Sequence, residues 1–122
     1  MLQHRSIISV ADNSGAVRLM LIGIAGRGRK RGAGLGDQIT AVVKKSQPAG
    51  VVKKSQIVKA VVVRTKKQTR REDGTYIKFS DNAAVLVDNA GNLLGTRIIG
   101  PVAAEVRKRG FSKIASAASE VF

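Results

Sequence analysis

The apolar residues of this chain fall in short runs rich in Val and Ile, broken by clusters of Gly, Asn, Asp and Ser at intervals of about ten to twenty residues. Punctuation that frequent leaves no room for long helices and is the pattern of strands joined by turns. Ser6–Val10 reads as a brief strand, Asp12–Gly15 as a turn and Ala16–Ile24 as a longer strand. In that strand Arg18, Met20, Ile22 and Ile24 share one face and Val17, Leu19 and Leu21 the other, so both faces carry apolar side chains. Ile39–Val43 and Ile57–Val63 repeat the two-sided pattern, and Ala83–Val87 reads as a further strand. Two-sided burial in 122 residues, with no helix between the strands to cover a sheet, predicts a mainly β chain whose sheet closes on itself as a small barrel. One domain over 1–122 accommodates this, with the β part over about 1–100.

Between Arg64 and Lys78 the chain has almost no apolar side chain until Tyr76. It is predicted to leave the core as a ribbon turning at Asp73-Gly74, a dipeptide suited to a type I′ hairpin turn. The last segment, about 101–122, reads as short helices. Pro101 suits a first helical position, Val102 and Val106 are four apart, and Gly110 can take the left-handed conformation that ends a helix. A second turn of helix is expected from Ser112, with Phe111, Ile114, Ala118 and Val121 on one side. Ala25–Gly36, with five glycines and four cations, reads as a flexible basic loop.

The charge is lopsided. Twenty-two Lys and Arg face eight Asp and Glu, a formal net charge of +14, and such an excess calls for an anionic partner. The cations cluster in three places: Arg27, Arg29, Lys30 and Arg31; Lys44 and Lys45 with Lys53 and Lys54; and Arg64, Lys66, Lys67, Arg70 and Arg71, with Lys78 beyond the turn. A surface selected only for solubility mixes both signs, so three clusters nearly free of acids point to a nucleic-acid backbone. Tyr76, Phe79, Phe111 and Phe122 are the only aromatics, and Tyr76 and Phe79 have opposite parity along a strand. A stacking platform for single strands is therefore disfavoured, and phosphate neutralisation with shape recognition of folded RNA is the expected mode.

Chemistry finds little footing. With no cysteine and one histidine, His4, the chain offers no metal-ligand set and no disulfide framework. Asp12, Asp37, Asp81 and Asp88 sit beside Gly, Asn or Ser, where turn formation explains them. Gly32–Gly36 precedes a strand, whereas phosphate-cradling glycine loops open a helix. No enzyme, no cofactor and no membrane span is expected, and without a signal-peptide core the chain reads as soluble and intracellular. A free-standing RNA chaperone or DNA-compacting protein remains an alternative, as does a small barrel enzyme, which would need a clustered acid and base.

Ala60–Leu86, A-V-V-V-R-T-K-K-Q-T-R-R-E-D-G-T-Y-I-K-F-S-D-N-A-A-V-L, closely resembles the signature of the large-ribosomal-subunit protein family L-fourteen in its bacterial or organellar form. A-D-N-S-G-A at Ala11–Ala16, G-V-V-K-K at Gly50–Lys54, G-T-R-I at Gly95–Ile98 and G-P-V-A at Gly100–Ala103 agree, in the same order. The resemblance implies a five-stranded barrel with a protruding ribbon and a helical carboxyl-terminal region, located in cytoplasmic or organellar ribosomes. It implies binding to large-subunit rRNA, contact with neighbouring ribosomal proteins three and nineteen, and bridges to small-subunit rRNA near Lys44–Gln47 and the carboxyl-terminal helices. It also implies docking of the ribosome silencing factor around Thr96, Arg97 and Lys113. The chain departs from the family pattern at Ala104, where an arginine is usual, and at Ala117 and Ser119, where leucine and proline are usual; the last two are expected to loosen the final turn.

Overall fold

A computed structural model describes residues 2–3, 5–24, 32–48 and 50–122. In chain order the elements are β1 (Ile7–Val10), β2 (Ala16–Ile24), β3 (Gln38–Ser46), β4 (Ile57–Arg64), β5 (Thr69–Arg70), β6 (Tyr76–Ile77), β7 (Ala83–Val87), α1 (Glu105–Lys108) and α2 (Ser112–Ala117). Strands β1, β2, β3, β4 and β7 close a five-stranded barrel, as expected, while β5 and β6 form a separate two-stranded ribbon. Every barrel pair is antiparallel except β1 with β7, the parallel seam that closes it.

One parity of each strand fills the interior: Ile8; Leu19 and Leu21; Ile39, Ala41 and Val43; Val58, Ala60 and Val62; Ala84 and Leu86. Closure alone does not account for the apolar residues on the other face. Met20, Ile22 and Val42 on β2 and β3 are only half-buried there. On β4 and β7 the outer face is covered, because the carboxyl-terminal segment lays Val102, Val106, Ile114 and Ala115 over Val61, Val63, Val85 and Val87. The barrel thus has two cores, one inside and one beneath a terminal layer, and the two-sided pattern of β4 and β7 reports the second.

That layer differs from expectation at its start. Pro101 opens no helix: Val102 is extended and bridges Val121, with its N–H donating to the Glu120 carbonyl at 3.0 Å and its own carbonyl accepting from Phe122 N–H at 2.9 Å. Pairing with the returning chain end outweighs the helical preference of the proline, and α1 begins only at Glu105. Gly110 ends α1 with φ of +93°. Ile114 is fully buried, with Phe111, Ala118 and Val121 packed against the same core.

The ribbon turn also differs in type. Gly74 has positive φ but Asp73 does not, and Gly74 N–H donates to the Arg71 carbonyl while Arg71 N–H donates to that of Thr75. This is a three-residue loop, Glu72–Gly74, with glycine at its last position, whereas a type I′ turn needs positive φ twice. Of the glycine-rich loop, residues 25–31 lie outside the described residues. The remainder is fixed: Ala33 is buried and paired with Leu2, and Gly36 N–H donates to the Val62 carbonyl.

Candidate nucleic-acid interface

The β3–β4 connection presents one basic cluster at an end of the barrel. Lys44 and Lys45 extend past the last interior residue of β3, and Lys53 and Lys54 precede β4, all four exposed. The connection is pinned, not loose. Val52 is buried in the interior core, Gln47 N–H donates to the Gly15 carbonyl at 2.7 Å and Val51 N–H to the Ser14 carbonyl at 2.8 Å. Gly15 and Gly50 make this close approach possible, since a Cβ on Gly15 would lie 2.3 Å from the Gly50 Cα. Arg18 on β2 is the cross-strand partner of Lys45 and is exposed, so it extends the cluster around the barrel. Sequence reasoning passed over Arg18 because it stands alone among apolar neighbours; the β2–β3 register brings it to the others.

At the opposite end, where β4 runs into the ribbon, the predicted cations divide. Lys66, Lys67, Arg70 and Lys78 are exposed. Arg64 and Arg71 turn inward. Arg64, with a side chain 11% exposed, donates through Nη1 to the carbonyls of Ile99 at 2.9 Å and Pro101 at 3.2 Å, and its Nε lies 3.0 Å from Asp81 Oδ1. Arg71 pairs with Glu105 at 3.0 Å and also donates to the Phe122 carbonyl. These two side chains fasten the terminal layer to the ribbon base. Arg27, Arg29, Lys30 and Arg31 lie outside the described residues, as does His4.

The acids explain why the exposed lysines of the described residues stand without ion pairs. Asp81 and Glu105 face Arg64 and Arg71, and Asp37 faces Arg109 at 3.4 Å. Asp12, read as a turn residue, is buried and accepts from Ser14 N–H and Oγ through Oδ1, and from Leu86 N–H across the barrel through Oδ2. Asp73 and Asp88 close turns. The Thr75 hydroxyl and N–H hold the Asp73 carboxyl below its usual range, and the Asn92 N–H, with that of Ala90, does the same for Asp88. Six of the eight acids in the sequence therefore serve the fold. Among the described residues, none forms an ion pair with Lys44, Lys45, Lys53, Lys54, Lys66 or Lys67.

Thr96 and Arg97 are exposed on the segment after β7, which Asn13 clamps: its Oδ1 accepts from both their N–H groups and its Nδ2 donates to Thr96 Oγ1 at 2.7 Å. Lys113 on α2 donates to Asn92 Oδ1 at 2.7 Å, tying the helix to the beginning of that same segment. Asn13 lies in the β1–β2 turn that also receives Gln47, so this surface opens at the same end as Lys44 and Lys45.

The family model described as "Ribosomal protein L14p/L23e" matches residues 1–122. The large ribosomal subunit protein uL14 of Aquifex aeolicus (strain VF5) is 53% identical over 121 residues, which covers 99% of each chain.

Proposed function

The chain belongs to the ribosomal protein L14p/L23e family, and we propose that it is a non-catalytic constituent of the large ribosomal subunit that holds that subunit's rRNA at both ends of its barrel. The observation that carries this reading is the set of exposed lysines and arginines left unopposed once the acids have been taken into turns and ion pairs. Lys44, Lys45, Lys53 and Lys54 contact phosphates at one end, and Lys66, Lys67, Arg70 and Lys78 at the other; Arg27, Arg29, Lys30 and Arg31, outside the described residues, belong to the same phosphate-binding set by their charge. Arg64 and Arg71 serve this surface by positioning the ribbon. The protein resides in ribosomes, of the cytoplasm or of an organelle.

Bridging to small-subunit rRNA falls to Lys44–Gln47 and the carboxyl-terminal helices, and the silencing factor docks on Thr96, Arg97 and Lys113. What supports this last site is its clamped backbone, which presents an arginine, a hydroxyl and a lysine on a rigid support. Protein neighbours, numbers three and nineteen, are offered an apolar row on the barrel's outer face, where Ile7, Met20, Val42 and Ile57 stand side by side across four strands. Ile7 and Ile57 are 53% and 66% exposed, which an unpartnered barrel face does not need.

The test is a salt titration of binding to large-subunit rRNA. Each neutralised phosphate contributes a log–log slope of roughly −0.7 to −0.9, so Lys44, Lys45, Lys53 and Lys54 changed together to Gln should flatten the slope by about 3. An unchanged slope removes that end of the barrel from the interface. Arg97→Glu should weaken silencing-factor binding to purified large subunits, and undiminished binding would displace that site.

A further inference from the structure

Parity along an ideal strand separates Tyr76 from Phe79, but β6 ends at Ile77 and the chain then changes course to let Phe79 N–H donate to the Thr65 carbonyl. Tyr76, Phe79 and Phe122 consequently line one cleft of about 410 Å³, together with Arg71, Lys78 and Pro101. Tyr76 is 58% exposed and Phe122 54%, an arrangement that leaves ring surface in water at the ribbon base. Lys78 lines the cleft and is exposed, and Arg70, the cross-strand partner of Tyr76, is exposed next to that ring on the neighbouring strand. Phe122 is held at its backbone, by the Arg71 side chain and by the pairing with Val102, so its position does not depend on its own ring packing.

Resting on the rRNA reading above, we infer that this cleft receives one unpaired RNA base, which stacks on Tyr76 while Arg70 and Lys78 hold the flanking phosphates. The charge around the cleft selects a nucleic acid over an apolar peptide. Aromatic rings beside cations are the elements of single-strand recognition, and a ring accepts any base because every base has a π face. Tyr76, with its ring exposed, offers one stacking face, so the contact adds a local anchor to an interface otherwise made of phosphates.

Tyr76 is the chain's single tyrosine and there is no tryptophan, so tyrosine emission reports this position alone. The full chain is titrated at low salt with an eight-nucleotide oligoadenylate RNA and with an abasic strand of the same length. The oligoadenylate should quench the emission and bind more tightly than the abasic strand. Tyr76→Phe should keep that preference, while Tyr76→Ala, at an exposed position outside both cores, should lose it on the order of ten-fold. Phe122→Ala is a second variant with the same expected direction. Equal affinity for the two strands without quenching would overturn the proposal. So would quenching by an apolar peptide with no response to the oligoadenylate, which would assign the cleft to a protein. Steep, salt-dependent binding of large-subunit rRNA in that case would leave the parent reading standing; absence of rRNA binding would remove the parent reading independently.

Discussion

Arg64 belongs to a basic run yet holds the fold together, and the difference is measurable. Its guanidinium donates to the carbonyls of Ile99 and Pro101 and faces Asp81, whose side chain is 42% exposed. Hydrogen bonds from a charged donor contribute about 1.5–3 kcal/mol each, and a half-exposed ion pair at most about 1 kcal/mol, so Arg64→Ala should cost about 3 kcal/mol. With a urea m value of about 1.5 kcal/mol/M for a domain this size, the midpoint falls by about 2 M. Lys66→Gln and Lys67→Gln, both exposed, should stay within about 0.5 kcal/mol of the parent. Gly100 supplies the decisive control. Its φ is +83°, and a Cβ there would lie 2.3 Å from Arg64 Nη1. Gly100→Ala therefore costs about 1 kcal/mol in backbone strain and, in addition, dislodges Arg64. In an Arg64→Ala background only the strain remains, so the two substitutions should couple by about 2 kcal/mol. Additivity within about 0.5 kcal/mol, or a midpoint shift below about 0.3 M for Arg64→Ala, would refute the assignment.

Asp12→Ala orphans the Leu86 N–H and two Ser14 donors at a buried site, and should cost about 2–4 kcal/mol with faster amide exchange at Leu86. Unchanged exchange would show the bond to be dispensable. Ile114→Ala should cost about 2–5 kcal/mol by opening the second core while the barrel interior stays packed, read as a lowered unfolding midpoint. The Asp88 carboxyl should titrate below 3.8 in a carbon-detected NMR experiment. Because its folded value is depressed, its contribution to stability is present above the ordinary carboxylate range and fades as pH falls through the folded value, so Asp88→Asn should flatten that part of the acid limb. A titration at or above 3.8 would refute it.

The barrel was legible because its strands are short apolar runs with both faces apolar and its turns are marked by Asn, Gly and Asp, as in Ala16–Ile24 and Ala83–Val87, whose bounds the structure reproduces. The reason for two-sided burial was only half legible. Closure explains Leu19 and Leu21, but Val61, Val63 and Val85 are covered by a segment that lies as many as 54 residues downstream, and no local pattern announces which face a distant helix will choose. The same limit governs the cations. Lys66 and Arg64 are alike in the sequence; the position of Arg64 at the end of β4, beside Gly100 and Asp81, separates them. Likewise Asp12 and Asn13 look like turn residues and are so, yet each also reaches across the molecule, Asp12 to Leu86 and Asn13 to Thr96 and Arg97. Parity misled at Tyr76 and Phe79 because β6 is only two residues long.

If the acids are engaged in the fold and the outward cations are unopposed, salt must act on the isolated chain and on its complex in opposite directions. At +14 the folded chain repels itself, and Arg18 beside Lys45 places two like charges directly across a strand pair. Screening over a Debye length of about 10 Å at 0.1 M relieves that repulsion. The ion pairs of Arg64, Arg71 and Arg109 work the other way, but the arginines of the first two are partly buried and screened less, and among the described residues such pairs are outnumbered by the exposed cations. Raising KCl from about 20 to 300 mM should thus stabilise the free chain by on the order of 1 kcal/mol in urea unfolding, over the same range in which rRNA affinity collapses. Lys45→Gln should reduce the first effect by relieving Arg18 and the second by removing one phosphate contact. A chain that loses stability with added KCl would mean that attractive pairs dominate its surface, and the division of its charges between fold and partner would be wrong.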